Sequence, residues 1–439
     1  MAGRKRMIPL LCAGLLTLYG CGGPSSGSGT ISEEPGETNA ASGLAWEKDG
    51  GKADSDTQVD TATEVPAEAE PMPAYERSME LQYAENFTID YYEHGYTLLT
   101  TTMDGERFLL VPEGKEVPQA LIAELEKGTP ESGEPQGENQ IWANRGREIT
   151  VLRRPVEGIY LVASSVMDLF SALDGLDAVS FSGQRAEGWY IEAAREAMER
   201  GDILYAGKYN KPDYEMIVSG NCTLAIENTM ISHSPEVVEK LEDFGIPVMI
   251  DYSSYESHPL GRVEWVRFYG ALLGKEEEAD RIFEEQCEIL EKVNAEEKTD
   301  KTAAFFFITS NGLVQVRQSD DYVPKMIELA GGNYIFGDLG DPETKRSTVN
   351  MQVEDFYAGA KDADFLIYNS SIDGGVPDVD ALLDKCGLLA DFKAVKEGNV
   401  WCTTNDLYQQ SLSIGYLIED IHGMLRGEKE DMHYLFHLE

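Results

Sequence analysis

Short apolar runs alternate with segments of helical periodicity along much of the chain. Residues 158–163, 224–226 and 247–250 are apolar runs with the length of buried strands. Between the second and third runs, residues 236–244 repeat apolar side chains at helical spacing, and Gly245 follows as a glycine does past a helix end. Strands that alternate with helices pair in parallel, so this region predicts an α/β lobe.

A different pattern begins at residue 259 and continues to about residue 298. Apolar side chains recur at i, i+3, i+4 and i+7 from Trp265, and the pattern resumes after Gly274. This predicts an amphipathic helix that is broken or bent near Gly274. Apolar runs return at 303–308, 365–368 and 399–402. We therefore predict an α/β fold of two α/β lobes joined by one long helix, with a ligand cleft between the lobes. The first lobe is expected at 81–258, the connecting helix at 259–299 and the second lobe at 300–439.

Two strand-like segments stand near the start of the first lobe. Residues 97–101 and 107–111 are apolar and β-branched, and the Asp104-Gly105 pair between them is typical of a turn. Residues 128–139 are rich in Gly, Pro and Glu, which predicts a loop.

The first residues have the pattern of an export signal. Arg4, Lys5 and Arg6 precede an apolar run of 13 residues, 7–19. A membrane-spanning helix needs about 20 apolar residues, so this run has the length of a signal-peptide core. The run ends at Leu-Tyr-Gly-Cys21, which resembles a bacterial lipobox with an unusually bulky Tyr. We predict a lipoprotein signal over 1–21 and lipidation of Cys21; an ordinary secretion signal with a coincidental cysteine is the alternative.

Residues 22–80 begin with Gly and Ser and then become acidic, which predicts a disordered, extended tether. The whole chain holds 36 Lys and Arg against 79 Asp and Glu, a formal net charge of −43. Nucleic-acid binding needs clustered cations, so we expect no nucleic-acid partner. The predicted location is the extracytoplasmic face of the cell membrane, held by the lipid anchor.

A weak repeat relates the two predicted lobes. In each, a Glu is followed five residues later by a Gly and then by an apolar run that ends near an Asn. The first copy contains Glu215 and Asn228, and the second contains Glu354 and Asn369.

These pieces together resemble the substrate-binding lipoproteins of ABC importers for ferric siderophores, haem and vitamin B12. The resemblance covers about residues 81–435 and rests on the order of several short segments. They are Pro-Asp-Tyr-Glu at 212–215, Phe-Gly-Ile-Pro-Val at 244–248, the helical stretch from 259, and the segments 326–336, 348–354 and 362–368.

The resemblance implies a monomeric carrier without catalytic activity, resident cofactor or metal. Such a carrier closes its two lobes around a small molecule, here an iron chelate or tetrapyrrole, and delivers it to a membrane permease. Glu215 and Glu354 match the family's two permease-docking glutamates; ordinary surface glutamates near helix N-termini are the alternative. A corrinoid carrier of the same family, a ligand-sensing lipoprotein and an exported hydrolase remain as other hypotheses.

Ligand-binding residues are expected just past the carboxyl ends of strands, where open α/β sheets bind ligands. Tyr209 matches an aromatic cleft position of the vitamin B12-binding relative, but the matching offset before Glu354 is a Thr, which weakens the corrinoid hypothesis. Arg346 could pair with an anionic chelate. The complete set of candidates is Tyr209, Asn228, Thr229, His233, Tyr255, Glu256, His258, Asn311, Arg317, Arg346 and Asn369.

Some chemistry stays open at this point. His258 and His233 could coordinate iron or zinc, but a His before Pro, as at 258, is more often a hydrogen-bonding residue at a helix start. The positions of Cys222, Cys287, Cys386 and Cys402 do not reveal a disulfide pairing. We find no nucleophile elbow, phosphate-binding loop or His-Glu-x-x-His motif, although scattered catalytic residues would leave no such pattern.

Overall fold

The computed structural model describes residues 71–127, 148–340 and 347–439. The signal peptide, Cys21 and most of the predicted tether therefore lie outside the described residues. Within them, no helix is long and apolar enough to cross a membrane.

An N-terminal sheet opens the described chain. Its strands are β1 (Tyr75–Ser78), β2 (Phe87–Tyr92), β3 (Tyr96–Thr101), β4 (Arg107–Val111) and β5 (Ile149–Arg153), in that spatial order, with helix α1 (Gln119–Lys127). The two predicted strands are confirmed as β3 and β4, and Gly105 between them has the positive φ that a tight turn favours. Ordered structure begins within the segment assigned to the tether, because β1 pairs with β2.

A second sheet follows and is entirely parallel. Its strands are β6 (Ile159–Leu161), β7 (Val179–Ser182), β8 (Leu204–Tyr205), β11 (Leu224–Asn228) and β12 (Val248–Asp251), in the order β12-β11-β6-β7-β8. A small hairpin, β9 (Gly207–Lys208) and β10 (Lys211–Pro212), follows β8 in the chain and precedes α4. The helices are α2 (Ser164–Ala172), α3 (Glu192–Arg200), α4 (Tyr214–Ser219) and α5 (Pro235–Asp243). The three predicted strands and the predicted helix are confirmed. The segment 81–258 thus contains two sheets.

Two helices, α6 (Pro259–Leu273) and α7 (Glu276–Asn294), occupy the predicted connector. Gly274 separates them with a left-handed conformation, so the chain breaks where the periodicity indicates. The helices pack closely: a Cβ on Gly270 would lie 2.4 Å from that of Ala279, and Arg267 pairs with Asp280 at 2.8 Å. The connector is therefore a packed helix pair, in which α7 is the longer member.

Two buried glutamates attach the N-terminal sheet to this helix pair. Glu264 accepts hydrogen bonds from the backbone N–H groups of residues 82, 83 and 84, each at 2.8 Å. Glu256 accepts from the N–H groups of Glu85 and Asn86, both at 2.9 Å, and from the Trp265 indole. Such charge-assisted bonds are strong, so the segment 82–86 is held rigidly against α6.

The remaining chain forms the C-terminal sheet. Its strands are β13 (Thr302–Ile308), β14 (Val314–Arg317), β15 (Asn333–Tyr334), β16 (Thr348–Met351), β17 (Phe365–Tyr368), β18 (Val400–Thr403) and β19 (Leu435–His437). Its helices are α8 (Tyr322–Leu329), α9 (Val353–Ala360), α10 (Val379–Lys385), α11 (Lys393–Glu397) and α12 (Ile414–Leu425). β13, β17 and β18 are parallel neighbours, which confirms the three predicted strands, and β14, β16 and β19 add antiparallel edges. The four cysteines at 222, 287, 386 and 402 are free thiols.

Candidate functional site

A cavity lies beyond the carboxyl ends of three neighbouring parallel strands. β6, β11 and β12 lead into Ser164, Asn228 and Ser253, which line one wall. The opposite wall comes from the C-terminal half, including Tyr322, Tyr408 and Ser411. The volume is about 340 Å³, and the lining combines serine, threonine and tyrosine residues with apolar side chains such as Leu407, Ile414 and Leu417. The carboxyl edge of an open α/β sheet is where such folds bind small ligands.

A second cavity of about 300 Å³ adjoins the first. The two share Ser254, Arg262 and Tyr322 among their lining residues. Asn86 and Met103 of the N-terminal sheet region form part of its wall. Its remaining lining residues are Tyr255, Glu256, Ser257, Asp320, Asp321 and Ser347.

Arg262 stands at the boundary of the two cavities. It projects from the first turn of α6, and its guanidinium carbon lies 3.6 Å from the centre of the Tyr322 ring. Its nitrogens donate to the backbone carbonyl oxygens of Ser254 and Glu256. Burial lowers the pKa of the guanidinium, because the charged form loses hydration.

Arg317 and Asn369 meet behind Tyr408. The Arg317 guanidinium donates to the Tyr408 phenol oxygen, and the Asn369 amide donates to the same oxygen at 2.7 Å. Asp321 lies 3.6 Å from Arg317 and balances part of its charge. Tyr408 lines the first cavity, so these two predicted ligand residues support the wall through Tyr408.

Hydrogen bonds fasten the segment 407–413, here termed the strap, across the first cavity to the N-terminal half. Leu412 N–H donates to the Asp168 carboxylate at 2.9 Å. Gln409 accepts from Tyr190 N–H at 2.9 Å and donates to the Gly188 carbonyl at 2.8 Å. Burial raises the pKa of Asp168 to about 6. Opening the cavity on this side requires breaking these bonds.

The predicted ligand residues separate into several groups. Asn228 and Thr229 line the first cavity, and Tyr255 and Glu256 line the second. Tyr209 packs against the core, Asn311 accepts from the Thr309 hydroxyl, and His233 ends the helical turn after β11, so none of these three is a lining residue. Arg346 lies outside the described residues.

His258 caps a helix. Its Nδ1 accepts from the backbone N–H of Leu260 at 3.1 Å, and its ring stacks on Tyr83 with centroids 4.4 Å apart. Burial lowers its pKa and favours the neutral ring that can accept this bond. Across the described residues, no group of three or more His, Cys, Asp or Glu side chains is arranged to hold a metal ion.

Arg262, Tyr322 and Tyr408 were not among the sequence-derived candidates. Arg262 is four residues after His258 and eleven residues after β12 ends at Asp251. Its place in the first turn of the helix that follows β12 was the available signal, but an Arg near a helix start is equally common on a surface. The two tyrosines come from the other half, and no local pattern places them here.

The two candidate docking glutamates occupy similar elements. Glu215 and Glu354 are exposed in the first turns of α4 and α9. Each helix precedes an inner strand of its sheet, β11 and β17 respectively. The sequence repeat therefore corresponds to two similarly placed helix–strand units.

Comparison with known proteins extends these observations. No family model matches the chain. Two uncharacterized lipoproteins of Methanocaldococcus jannaschii are each 26% identical to it, one over 78% of this chain and 80% of its own length, the other over 81% and 86%. Among solved structures, a periplasmic binding protein of Veillonella parvula has a TM-score of 0.50 and 15% identity, over 62% of this chain and 92% of its own. A periplasmic heme binding protein of Vibrio cholerae has a TM-score of 0.49 and 17% identity, over 60% and 96%. The chain therefore has the two-lobed α/β fold of periplasmic binding proteins.

Proposed function

We propose that the protein is a membrane-tethered substrate-binding protein of an ABC importer, which captures an iron chelate and delivers it to a permease. The cavity between the strand ends of one half and the strap of the other carries this proposal. Its position and its mixed lining of apolar and hydroxyl-bearing side chains suit reversible enclosure of a small molecule. The iron-chelate class rests on the sequence resemblance to siderophore and haem carriers.

Capture requires the two walls of the cavity to separate and close again. The strap bonds to Asp168, Tyr190 and Gly188 are short polar contacts that can exchange with water at modest net cost. By contrast, the helix pair α6–α7 is packed through buried apolar side chains and stays intact. Closure is therefore a hinge motion of small amplitude, with the strap as the moving contact.

Delivery requires recognition that does not hold the carrier permanently. Exposed carboxylates such as Glu215 and Glu354 give orientation and a fast encounter with cationic permease residues without strong affinity. The tether and the lipid on Cys21 would keep the carrier at the extracytoplasmic face of the membrane, in agreement with the lipoprotein names of the two relatives.

Ligand titration of the full-length lipoprotein in detergent micelles tests capture. Tryptophan fluorescence is a suitable signal, since the Trp265 indole donates to Glu256 in the wall of the second cavity. The panel contains ferric catecholate, hydroxamate and citrate chelates, haem, cobalamin, cobinamide and free metal ions. Saturable quenching by an iron chelate at micromolar or tighter affinity supports the proposal. Binding of cobalamin alone redirects it to a corrinoid carrier, and no binding overturns it.

Uptake of radioactive iron by a deletion strain tests delivery. The double variant Glu215→Gln, Glu354→Gln should bind ligand normally and restore little uptake. The matched control Glu239→Gln, Glu397→Gln changes two other exposed glutamates, one in each half, and should restore full uptake. Normal uptake by the docking variant would contradict the role of these glutamates, and normal uptake in the deletion strain itself would favour a sensor.

A further inference from the structure

The two cavities share three lining residues. Ser254, Arg262 and Tyr322 line both, and the Arg262 guanidinium lies 3.6 Å from the centre of the Tyr322 ring. The Arg262 side chain is long and flexible. The two cavities, of about 340 Å³ and about 300 Å³, can therefore join when this side chain moves.

Arg262 is a partly buried cation whose hydrogen-bond acceptors are neutral. Its hydrogen bonds go to two carbonyl oxygens, and among the described residues it forms no ion pair within 4.0 Å; Asp321 and Asp251 act on it only from farther away. Removing a charge from water without a counter-charge is costly. An anionic ligand group at this point would supply a counter-charge in direct contact with the guanidinium.

The acidic side chains around the cavities have other donors. Asp251 accepts from Ser165, Ser253 and Tyr269. Glu256 accepts from two backbone N–H groups and the Trp265 indole. Asp321 accepts from Val323 N–H and faces Arg317 at 3.6 Å, while Asp320 is exposed. Arg262 is therefore the lining charge that most lacks a counterpart.

Polar groups continue on both sides of Arg262. Serine and threonine hydroxyls line the first cavity, and Asn86, Ser257 and Ser347 line the second. The position of Asn86 is fixed, because its own N–H is bound by Glu256 at 2.9 Å. The N-terminal sheet region thus contributes a rigid wall to the second cavity.

We propose that the two cavities form a single ligand site divided by Arg262, and that the ligand is an anion whose charged centre lies against Arg262 and whose polar arms enter both cavities. This rests on the proposed function and narrows its ligand class to an anionic, carboxylate-bearing chelate. It also makes Asn86 and Ser347 residues that determine which ligands fit.

Ferric dicitrate and iron-free citrate are the probes, since the first is a two-armed anion and the second is a single arm. Calorimetric titration measures both on the full-length protein. Arg262→Gln should weaken both at least about 30-fold, as expected when one partner of a buried charge pair is removed. Arg262→Lys should weaken them less, because the charge remains but the planar stacking is lost.

Asn86→Trp fills the second cavity from the N-terminal sheet region, and Ser347→Trp fills it from the other half. Each should weaken ferric dicitrate at least about tenfold and leave iron-free citrate within about twofold, since citrate needs one cavity. Thr88→Trp, at an exposed position on β2, is the matched control and should bind both probes normally. Thermal unfolding verifies that each variant is folded. If one of the two tryptophan variants does not fold, the other, from the opposite wall, still tests the proposal.

The outcomes separate this inference from the proposed function. A neutral hydroxamate chelate that binds equally to wild type and Arg262→Gln would leave the carrier function intact and overturn the anionic class. Ferric dicitrate binding that neither tryptophan reduces would overturn the single divided site. Citrate binding that depends on Arg262, without binding of any iron chelate, would support the anion site and overturn the iron-carrier function.

Discussion

Replacing Asp168 by Asn should stabilise the protein at neutral pH. Asp168 is 9% exposed, and burial raises the pKa of its carboxyl to about 6 from an ordinary value of 3.8. The unfolded chain, with the lower pKa, releases its proton first as the pH rises. Stability contributed by this group is therefore complete below about pH 4 and declines as the pH rises to about 6. With the pKa at about 6, ionisation of Asp168 destabilises the folded protein by about 3 kcal/mol at pH 7 relative to pH 4.

Asn is a suitable substitute because it resembles the protonated acid in shape and charge. Its amide oxygen can still accept the Leu412 N–H that the carboxylate accepts at 2.9 Å. Asp168→Ala removes the acceptor and leaves a buried N–H unpaired, which costs about 1–3 kcal/mol at every pH. The two variants therefore separate the effect of the charge from that of the hydrogen bond.

Urea denaturation of wild type, Asp168→Asn and Asp168→Ala between pH 4 and pH 8 measures the effect. Wild type and the Asn variant should have equal stability near pH 4, and the Asn variant should gain up to about 3 kcal/mol by pH 7. The free-energy difference between wild type and the Asn variant should change mainly between pH 4 and 6. A difference that is constant across this range would refute the assignment of a raised pKa to Asp168.

Three further substitutions test buried contacts by denaturation. Glu227 is fully buried, and both its carboxylate oxygens are without a hydrogen-bond partner in the structure. Burial raises the pKa of Glu227 well above the ordinary value. Glu227→Gln should therefore stabilise the protein increasingly as the pH rises above about 4.5. Glu264→Ala leaves three backbone N–H groups without their acceptor and removes one of the two carboxylates that pair with Arg267. It should cost about 3–5 kcal/mol, with faster hydrogen exchange at residues 82–84. Gly270→Ala places a Cβ 2.4 Å from that of Ala279 and should cost about 1–3 kcal/mol, whereas Gly201→Ala tests only the strain of a positive φ in open space. An unchanged denaturation midpoint for Glu264→Ala would contradict the hydrogen bonds of Glu264, and an unchanged midpoint for Gly270→Ala would contradict the close packing of α6 on α7.

Hydrophobic periodicity was sufficient to predict the central strands and the break in the helical connector. Strands such as β6 and β11 are continuous apolar runs because both faces of a parallel sheet are covered. The N-terminal sheet was only partly predicted. Its strand β2, with the sequence Phe-Thr-Ile-Asp-Tyr-Tyr, alternates buried and exposed positions only in its first half, so its pattern is weak. The strand β1 is exposed throughout and depends on pairing with β2.

The candidate site was predictable on one side only. The rule that ligands bind past the carboxyl ends of strands selects Asn228 and Thr229, which line the first cavity, because sequence shows where a strand ends. The same rule reaches Arg317 and Asn369, yet the structure interposes Tyr408 between them and the cavity. Which strap residue faces the cavity depends on how the two halves dock, and that docking involves contacts more than 200 residues apart in sequence, such as that of Leu412 with Asp168.

The strongly acidic composition is compatible with an anionic ligand once distance is considered. A net charge of −43 repels anions from the protein as a whole, but at physiological ionic strength this repulsion is screened beyond about 8 Å. Inside the cavity, screening is weaker and a single cation acts strongly at contact distance. Arg262 provides that cation, and its acceptors are neutral carbonyls. The negative net charge opposes nucleic-acid binding at the surface, but it does not decide which small ligand binds in the cavity. The local positive charge of Arg262 decides that.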